Sequence, residues 1–155
     1  MAAIIMVPRS IVTLTTTGAS LTGNSAGSAG TDMDFRAAGN FAGDWQVQFE
    51  LVCQWATVTG ISANGLIGLI YLVPKMDGTN APDIDTTAGA SVLPQAALAA
   101  TITAAKAPTA NTDMRFISAV AEVPPRLYTA YLLNRSGQTI SANWSLKAIG
   151  DQGAV

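Results

Sequence analysis

The sequence predicts an all-β protein whose fold is an antiparallel β-sandwich, and three observations support this. Apolar and polar residues alternate with period two in several short segments, as in half-buried strands. Turn-forming residues and long Gly/Ser/Thr loops separate the segments. None of the segments has the helical period of an amphipathic helix. About eight such segments suit a two-layer sandwich, for which we expect a jelly-roll-like topology, with an immunoglobulin-like sandwich as the open alternative.

The N-terminal part of the chain predicts short strands followed by a loop. Residues 4–7 and 11–17 are rich in β-branched side chains and are separated by Pro8, which predicts an edge strand, a kink and a second strand. Residues 1–17 are therefore either peripheral strands of the domain or strands that pair with a neighbouring subunit. Small and polar residues dominate 18–30, which predicts a loop that contacts a partner.

The longest predicted strand spans residues 45–55. Its core face carries alternating apolar residues, namely Trp45, Val47, Phe49, Leu51, Cys53 and Trp55. Asn64 and Gly65 predict a turn, after which the apolar run 66–73 predicts a strand covered on both faces. We expect these two strands to pair with each other.

Four further strands complete the predicted sandwich. Residues 97–104 and 115–123 have strand-like patterns, although the alanines around the first leave a helix open there. Residues 127–133 and 140–148 alternate most clearly and are joined by the turn 134–137. One face of the last strand is apolar, with Ile140, Ala142, Trp144, Leu146 and Ala148. Its other face is polar, so we expect one buried side and one solvated or partner-facing side.

The polar loop 74–89 contains the best candidate for a cation site. Its carboxylate and amide oxygens are suitable Ca²⁺ ligands, at Asp77, Asn80, Asp83 and Asp85. The loop lacks the regular acid spacing and the closing Glu of a calcium loop, and its Asp-Gly and Asn-Ala-Pro sequences are also ordinary turn chemistry. We therefore expect neither a bound metal nor another cofactor, and this loop is the one candidate against that expectation.

The composition argues against an enzyme. The chain has no histidine, which removes the commonest general base, the Ser-His and Cys-His nucleophile systems and a usual zinc ligand. The single cysteine, Cys53, excludes an internal disulfide framework and fits a small buried core residue. We expect a non-enzymatic protein with one domain over residues 1–155, which is long enough for a single core.

Charged residues are scarce, at 12% of the chain, and the net charge is only −2. The eight Lys and Arg residues are scattered rather than clustered, which argues against nucleic acid as a partner. The longest apolar run, 66–73, is too short to cross a bilayer as a helix, so we expect no membrane partner. So little charge fits a component of an assembly whose surface is partly covered by other subunits.

Two segments in the second half of the chain resemble a known family. The sequence YLVPKMDGTN at 71–80 is a strand that runs into a proline and then an Asp-Gly-Thr-Asn loop. Two prolines at 124–125 precede the strand 126–133 and the turn NRSGQ at 134–138, which leads into the last strand as a hairpin. This combination is similar to small structural proteins of tailed bacteriophages, in which an aromatic residue often stands where this chain has Ala81.

The resemblance implies a virion protein, made in the host bacterial cytoplasm, that decorates a capsid and stabilises it by bridging capsid subunits. Its implied partners are the major capsid protein and copies of itself. Decoration proteins commonly occupy three-fold positions, which favours a trimer and leaves a dimer open. A tail, fibre or baseplate subunit is one alternative. A carbohydrate-binding β-sandwich is the other, because Trp45, Trp55 and Trp144 are available, although all three fall on predicted core faces.

The expected partner contacts come from the N-terminal strands, the loop 18–30 and the turn 134–137. They are Ile4, Ile5, Val7, Ile11, Val12, Leu21, Asn24 and Arg135. No catalytic and no cofactor-binding residue is expected.

Overall fold

The computed structural model describes residues 10–15, 19–80 and 97–151. Its regular structure there consists of strands alone, which confirms the all-β prediction. The strands are β1 (Ser10–Thr15), β2 (Ala26–Ser28), β3 (Met33–Asp34), β4 (Gln46–Cys53), β5 (Leu66–Pro74), β6 (Ala97–Thr103), β7 (Met114–Ile117), β8 (Ala121–Glu122), β9 (Leu127–Asn134) and β10 (Ser145–Asp151). No helix in these ranges is long and apolar enough to cross a membrane.

The strands form two antiparallel sheets that pack against each other. Sheet 1 has the order β1-β10-β4-β7, and β8 also pairs with β4; sheet 2 has the order β2-β9-β5-β6, and β3 also pairs with β9. The first strand thus pairs with the last, β2 and β3 with β9, β4 with β7 and β8, and β5 with β6. This nesting, a long antiparallel hairpin rolled into two sheets, is the jelly-roll arrangement that the sequence predicts.

The core lies between the sheets and follows the alternation of the strands. The side of β4 that is fully buried carries Val47, Phe49, Leu51 and Cys53. Trp55 and Trp144 are buried beside them, and each large apolar side chain contributes about 1.5–3 kcal/mol on burial. Burial raises the pKa of the Cys53 thiol to about 12, as expected for a core residue rather than a nucleophile.

Two predicted strand pairings are wrong. β4 and β5 lie in different sheets, where β4 pairs with β10 and β5 pairs with β9. β9 and β10 do not form a hairpin, because the chain crosses from sheet 2 to sheet 1 between Asn134 and Ser145. Alternation shows which side of a strand is buried, but the neighbouring strand is chosen by long-range contacts that the pattern does not record.

Several local predictions also need correction. Trp45 is 44% exposed rather than part of the core, because it precedes β4 and only part of its ring is covered there. Ala142 is exposed in the turn before β10. Residues 115–123 contain two short strands, β7 and β8, and the loop 18–30 contains β2. β6 is a strand, which excludes the helix left open there, and residues 4–7 lie outside the described residues.

Candidate functional site

Two segments that are distant in sequence meet where β5 ends and β9 begins. Pro74 pairs with Tyr128, and the next residue, Lys75, donates its backbone N–H to the carbonyl of Leu127 at 2.9 Å. We call residues 75–80 together with 124–126 the β5–β9 corner. These residues belong to the segments 71–80 and 124–138, which the fold joins into one surface.

The turn within the β5–β9 corner is held by its own side chains. The N–H of Gly78 donates to the carbonyl of Lys75 at 3.1 Å, and Gly78 has the left-handed φ of 76° that glycine accepts without strain. The Asp77 carboxylate accepts the backbone N–H groups of Thr79 and Asn80 at 2.8 and 2.7 Å and the Asn80 amide at 2.9 Å. These hydrogen bonds lower the pKa of Asp77 to about 2.

One ion pair joins the β5–β9 corner to the segment around β3, and a second lies within that segment. The Lys75 ammonium lies 2.6 Å from the Asp32 carboxylate, which also accepts a hydrogen bond from the Thr129 hydroxyl at 2.9 Å. The Arg36 guanidinium binds Asp34 through two hydrogen bonds of 2.8 Å, which lower the pKa of that carboxyl group. Both carboxylates of this segment therefore have cationic partners.

Met76 and Arg126 are exposed neighbours in the β5–β9 corner. Met76 is 75% exposed, the largest value among the large hydrophobic residues of the described chain. The Arg126 guanidinium contacts the Met76 sulfur at 3.9 Å, and no carboxylate in the described ranges forms an ion pair with it. The backbone of Arg126 is fixed, because its carbonyl accepts the N–H of Phe35 at 3.0 Å.

The candidate cation loop does not assemble a ligand set in the described residues. Asp77 and Asn80 are hydrogen-bonded to each other, and the Asp77 oxygens are engaged by the turn. Asp83 and Asp85 lie outside the described residues. Elsewhere in the part that the structure describes, no group of three or more His, Cys, Asp or Glu residues is close enough to hold a metal ion.

The other motif turn, at 134–138, places its first side chain inside the molecule. Asn134 is fully buried, and its side-chain nitrogen lies within hydrogen-bond distance of three carbonyls, those of Leu21 (2.9 Å), Thr22 (3.2 Å) and Gln138 (2.7 Å). Its side-chain oxygen accepts the N–H and the hydroxyl of Ser136 at 3.0 and 2.8 Å. This asparagine links the end of β9 to the segment before β2. Its hydrogen bonds within the fold are sufficient to account for an asparagine at this position.

The predicted partner contacts do not form one surface. Three of them lie outside the described residues, namely Ile4, Ile5 and Val7. Ile11 is 69% exposed on β1, whereas Val12 is half-buried against the core and Leu21 is buried within it. Asn24 and Arg135 meet through a hydrogen bond of 3.2 Å beside the turn 134–138. The described members are thus divided between an edge strand, the core and one loop end.

The exposed pair at the β5–β9 corner is not among the partner contacts predicted from the sequence. Met76 stands between Lys75 and Asp77 in a turn that is otherwise polar, and an apolar side chain at such a tip is the signal that would have identified it. The position of Arg126 beside it depends on the pairing of β5 with β9, which the local pattern does not contain.

The three tryptophans differ in accessibility. The Trp55 ring nitrogen donates to the Ser136 hydroxyl at 3.1 Å and that of Trp144 to the Ala19 carbonyl at 2.9 Å, and both rings are buried. Trp45 is the exception, since its ring is partly exposed. Only this aromatic side chain of the three is accessible to a ligand.

Comparisons of the chain with protein-family models, with curated proteins and with solved structures found no match.

Proposed function

We propose that this protein is a non-enzymatic structural protein of a bacteriophage virion, which decorates the capsid and stabilises it by bridging capsid subunits. The observation that carries the proposal is the β5–β9 corner. Residues 71–80 and 124–138, which carry the resemblance, are separated by three strands in sequence, yet the pairing of β5 with β9 brings 75–80 and 124–126 to one surface. The jelly roll supports the same function, because viral capsid proteins are among its recurrent users.

The mechanism is mass action. A subunit that touches several capsid subunits binds the assembled shell more tightly than the loose parts, and so shifts the equilibrium towards assembly. The chemistry required is shape, apolar contact and a few charges, all of which a stable sandwich displays on its loops and edges. No bond needs to be made or broken in the partner.

Self-association is part of the proposal, with a trimer favoured and a dimer as the alternative. Exposed Ile11 on edge strand β1 supports a contact between copies, because an edge strand with apolar side chains is a ready surface for pairing. This edge is partly closed in the single chain, since the Leu14 carbonyl already accepts the N–H of Thr31 at 2.9 Å.

The capsid role is tested by comparing particles that contain the protein with particles that lack it. We expect the latter to release their genome at a lower temperature or after a smaller osmotic shock, and added purified protein to restore the original behaviour. Equal resistance of the two kinds of particle would reject the stabilising role. A position on the tail instead of the shell would leave the resistance of the heads unchanged while the protein still copurifies with the virion, and would favour the tail alternative.

A carbohydrate-binding module is the second candidate, and the exposure of Trp45 is the observation that favours it. Polysaccharide binding by this ring would shift the tryptophan fluorescence of the wild-type protein and leave that of Trp45→Phe unshifted. The capsid proposal expects no shift in either protein over a panel of bacterial surface polysaccharides.

A further inference from the structure

We propose that the β5–β9 corner is the surface that docks on the capsid, with Met76 inserted into an apolar pocket of the capsid protein and Arg126 beside a carboxylate on its rim. The inference rests on the proposed function and specifies the chemistry of the partner. Methionine and arginine are both enriched at protein interfaces, where a few such side chains supply most of the binding energy.

The first support is preorganisation. The turn that carries Met76 is closed by the Lys75–Gly78 hydrogen bond, by the Asp77 carboxylate and by the Lys75–Asp32 ion pair. A side chain held on a rigid turn loses little backbone entropy when a partner covers it, so more of its contact energy appears as affinity. The fold fixes the position of Met76 while burying only a quarter of it.

The second support is the charge left over at the β5–β9 corner. Lys75 is neutralised by Asp32 and Arg36 by Asp34, while the Asp77 carboxylate is engaged by backbone N–H groups. Arg126 has the Met76 sulfur beside it and no carboxylate among the described residues. Asp77 keeps its negative charge within the turn, so the complementary surface is apolar opposite Met76 and acidic opposite Arg126.

The third support concerns which molecule supplies that surface. Two copies joined through this corner about a two-fold axis would offer Arg126 one carboxylate from the corner, that of Asp77, whose oxygens already accept hydrogen bonds from Thr79 and Asn80. Two grooves on the described surface are also unsuitable to receive Met76 and Arg126 of a second copy, because neither has an acidic lining residue. One, at Thr15, Ser25, Gly27 and Trp144, has no charged lining residue, and the other is lined by Lys106 and Arg115. A different protein is the occupant that fits.

The test uses capsid shells purified from phage in which the gene for this chain is deleted. Purified protein is sedimented with these shells, comparing the wild type with Met76→Asp and Arg126→Glu. Each change should weaken binding by about tenfold or more, and the Arg126→Glu defect should shrink as salt is raised. The matched controls are Leu98→Asp, at a residue that is 54% exposed on β6, and Lys106→Glu, at an exposed residue that follows β6 at the end of the sandwich away from the corner. Both should bind within about twofold of wild type.

The outcomes separate the inference from the function beneath it. If the wild type sediments with shells and the two corner variants do so equally well, the inference is overturned and the capsid function stands. If the wild type does not sediment with shells, both the docking inference and the capsid function are rejected. If the corner variants instead change the oligomeric state of the free protein, the corner is a contact between copies and the inference is overturned. Met76→Gln and Arg126→Gln control for unfolding. We expect both to keep the urea midpoint of the wild type while binding shells more weakly, which shows that the loss of binding does not come from unfolding.

Discussion

The turn 134–138 and the turn in the β5–β9 corner differ in how their side chains are used. In the turn 134–138, the Asn134 side chain is directed inward, and Asn134 and Ser136 bond to Leu21, Gln138 and Trp55. The turn in the β5–β9 corner is directed outward, because its polar groups satisfy one another and leave Met76 in solvent. The comparison teaches that contacts within the fold account for Asn134 in the turn 134–138 but not for the exposed Met76 of the β5–β9 corner, which we propose contacts the capsid.

The largest effect is expected from removing the inward asparagine. Asn134→Ala removes a buried amide that donates to the carbonyls of Leu21, Thr22 and Gln138 and accepts from Ser136, which should lower the free energy of unfolding by roughly 2–4 kcal/mol. The matched change in the outward turn, Asn80→Ala, removes an exposed contact to Asp77 and should cost about 0.5 kcal/mol or less. Urea denaturation of both variants measures the difference, and equal losses would contradict the distinction between the turns.

The glycines of the two turns provide a closer match. Gly137 and Gly78 both have φ of 76°, where an alanine is strained by about 1 kcal/mol. A Cβ at position 137 meets nothing within 4 Å, whereas one at 78 stands 3.2 Å from a guanidinium nitrogen of Arg36. We expect similar stability losses from Gly137→Ala and Gly78→Ala by urea denaturation. Only Gly78→Ala should also weaken shell binding, and a defect in both would assign shell contact to both turns.

The smallest effect is a dependence of the outward turn on acid. Asp77 has a pKa of about 2 in the fold against an ordinary value of 3.8, so its contribution to stability is present above about pH 4 and is lost as the pH falls through 2. Asp77→Ala should therefore have a lower urea midpoint than wild type at pH 7, and the two midpoints should converge near pH 2. Midpoints that differ by the same amount at both pH values would show that the charge of Asp77 does not hold the turn.

The local part of the fold could be predicted from the sequence. Alternation of large apolar residues places Phe49 and Leu51 inside β4, and Leu146 and Ala148 inside β10, because side chains on a strand must leave opposite faces. Long-range pairing could not be predicted in this way. Strands with similar apolar faces are interchangeable by pattern, and the partners β10 for β4 and β9 for β5 emerge only when the whole chain is rolled into two sheets.

The candidate site shows the same limit. Both segments of the β5–β9 corner stand out in the sequence, but their meeting depends on the Pro74–Tyr128 register. Trp45 shows the reverse case, since alternation places it on the core face and its position before β4 leaves it partly exposed. Burial at a strand end depends on which other segments of the chain cover it, and the residues of that strand do not predict those segments.

The most direct test of the capsid-binding account is a difference map, by electron cryomicroscopy, between particles with and without this protein. The account predicts that the added density is a two-layer sandwich on the capsid surface, that it spans more than one capsid subunit, and that Met76 and Arg126 face the shell. Density confined to the tail would contradict it, and so would a sandwich on the shell with the β5–β9 corner directed into solvent.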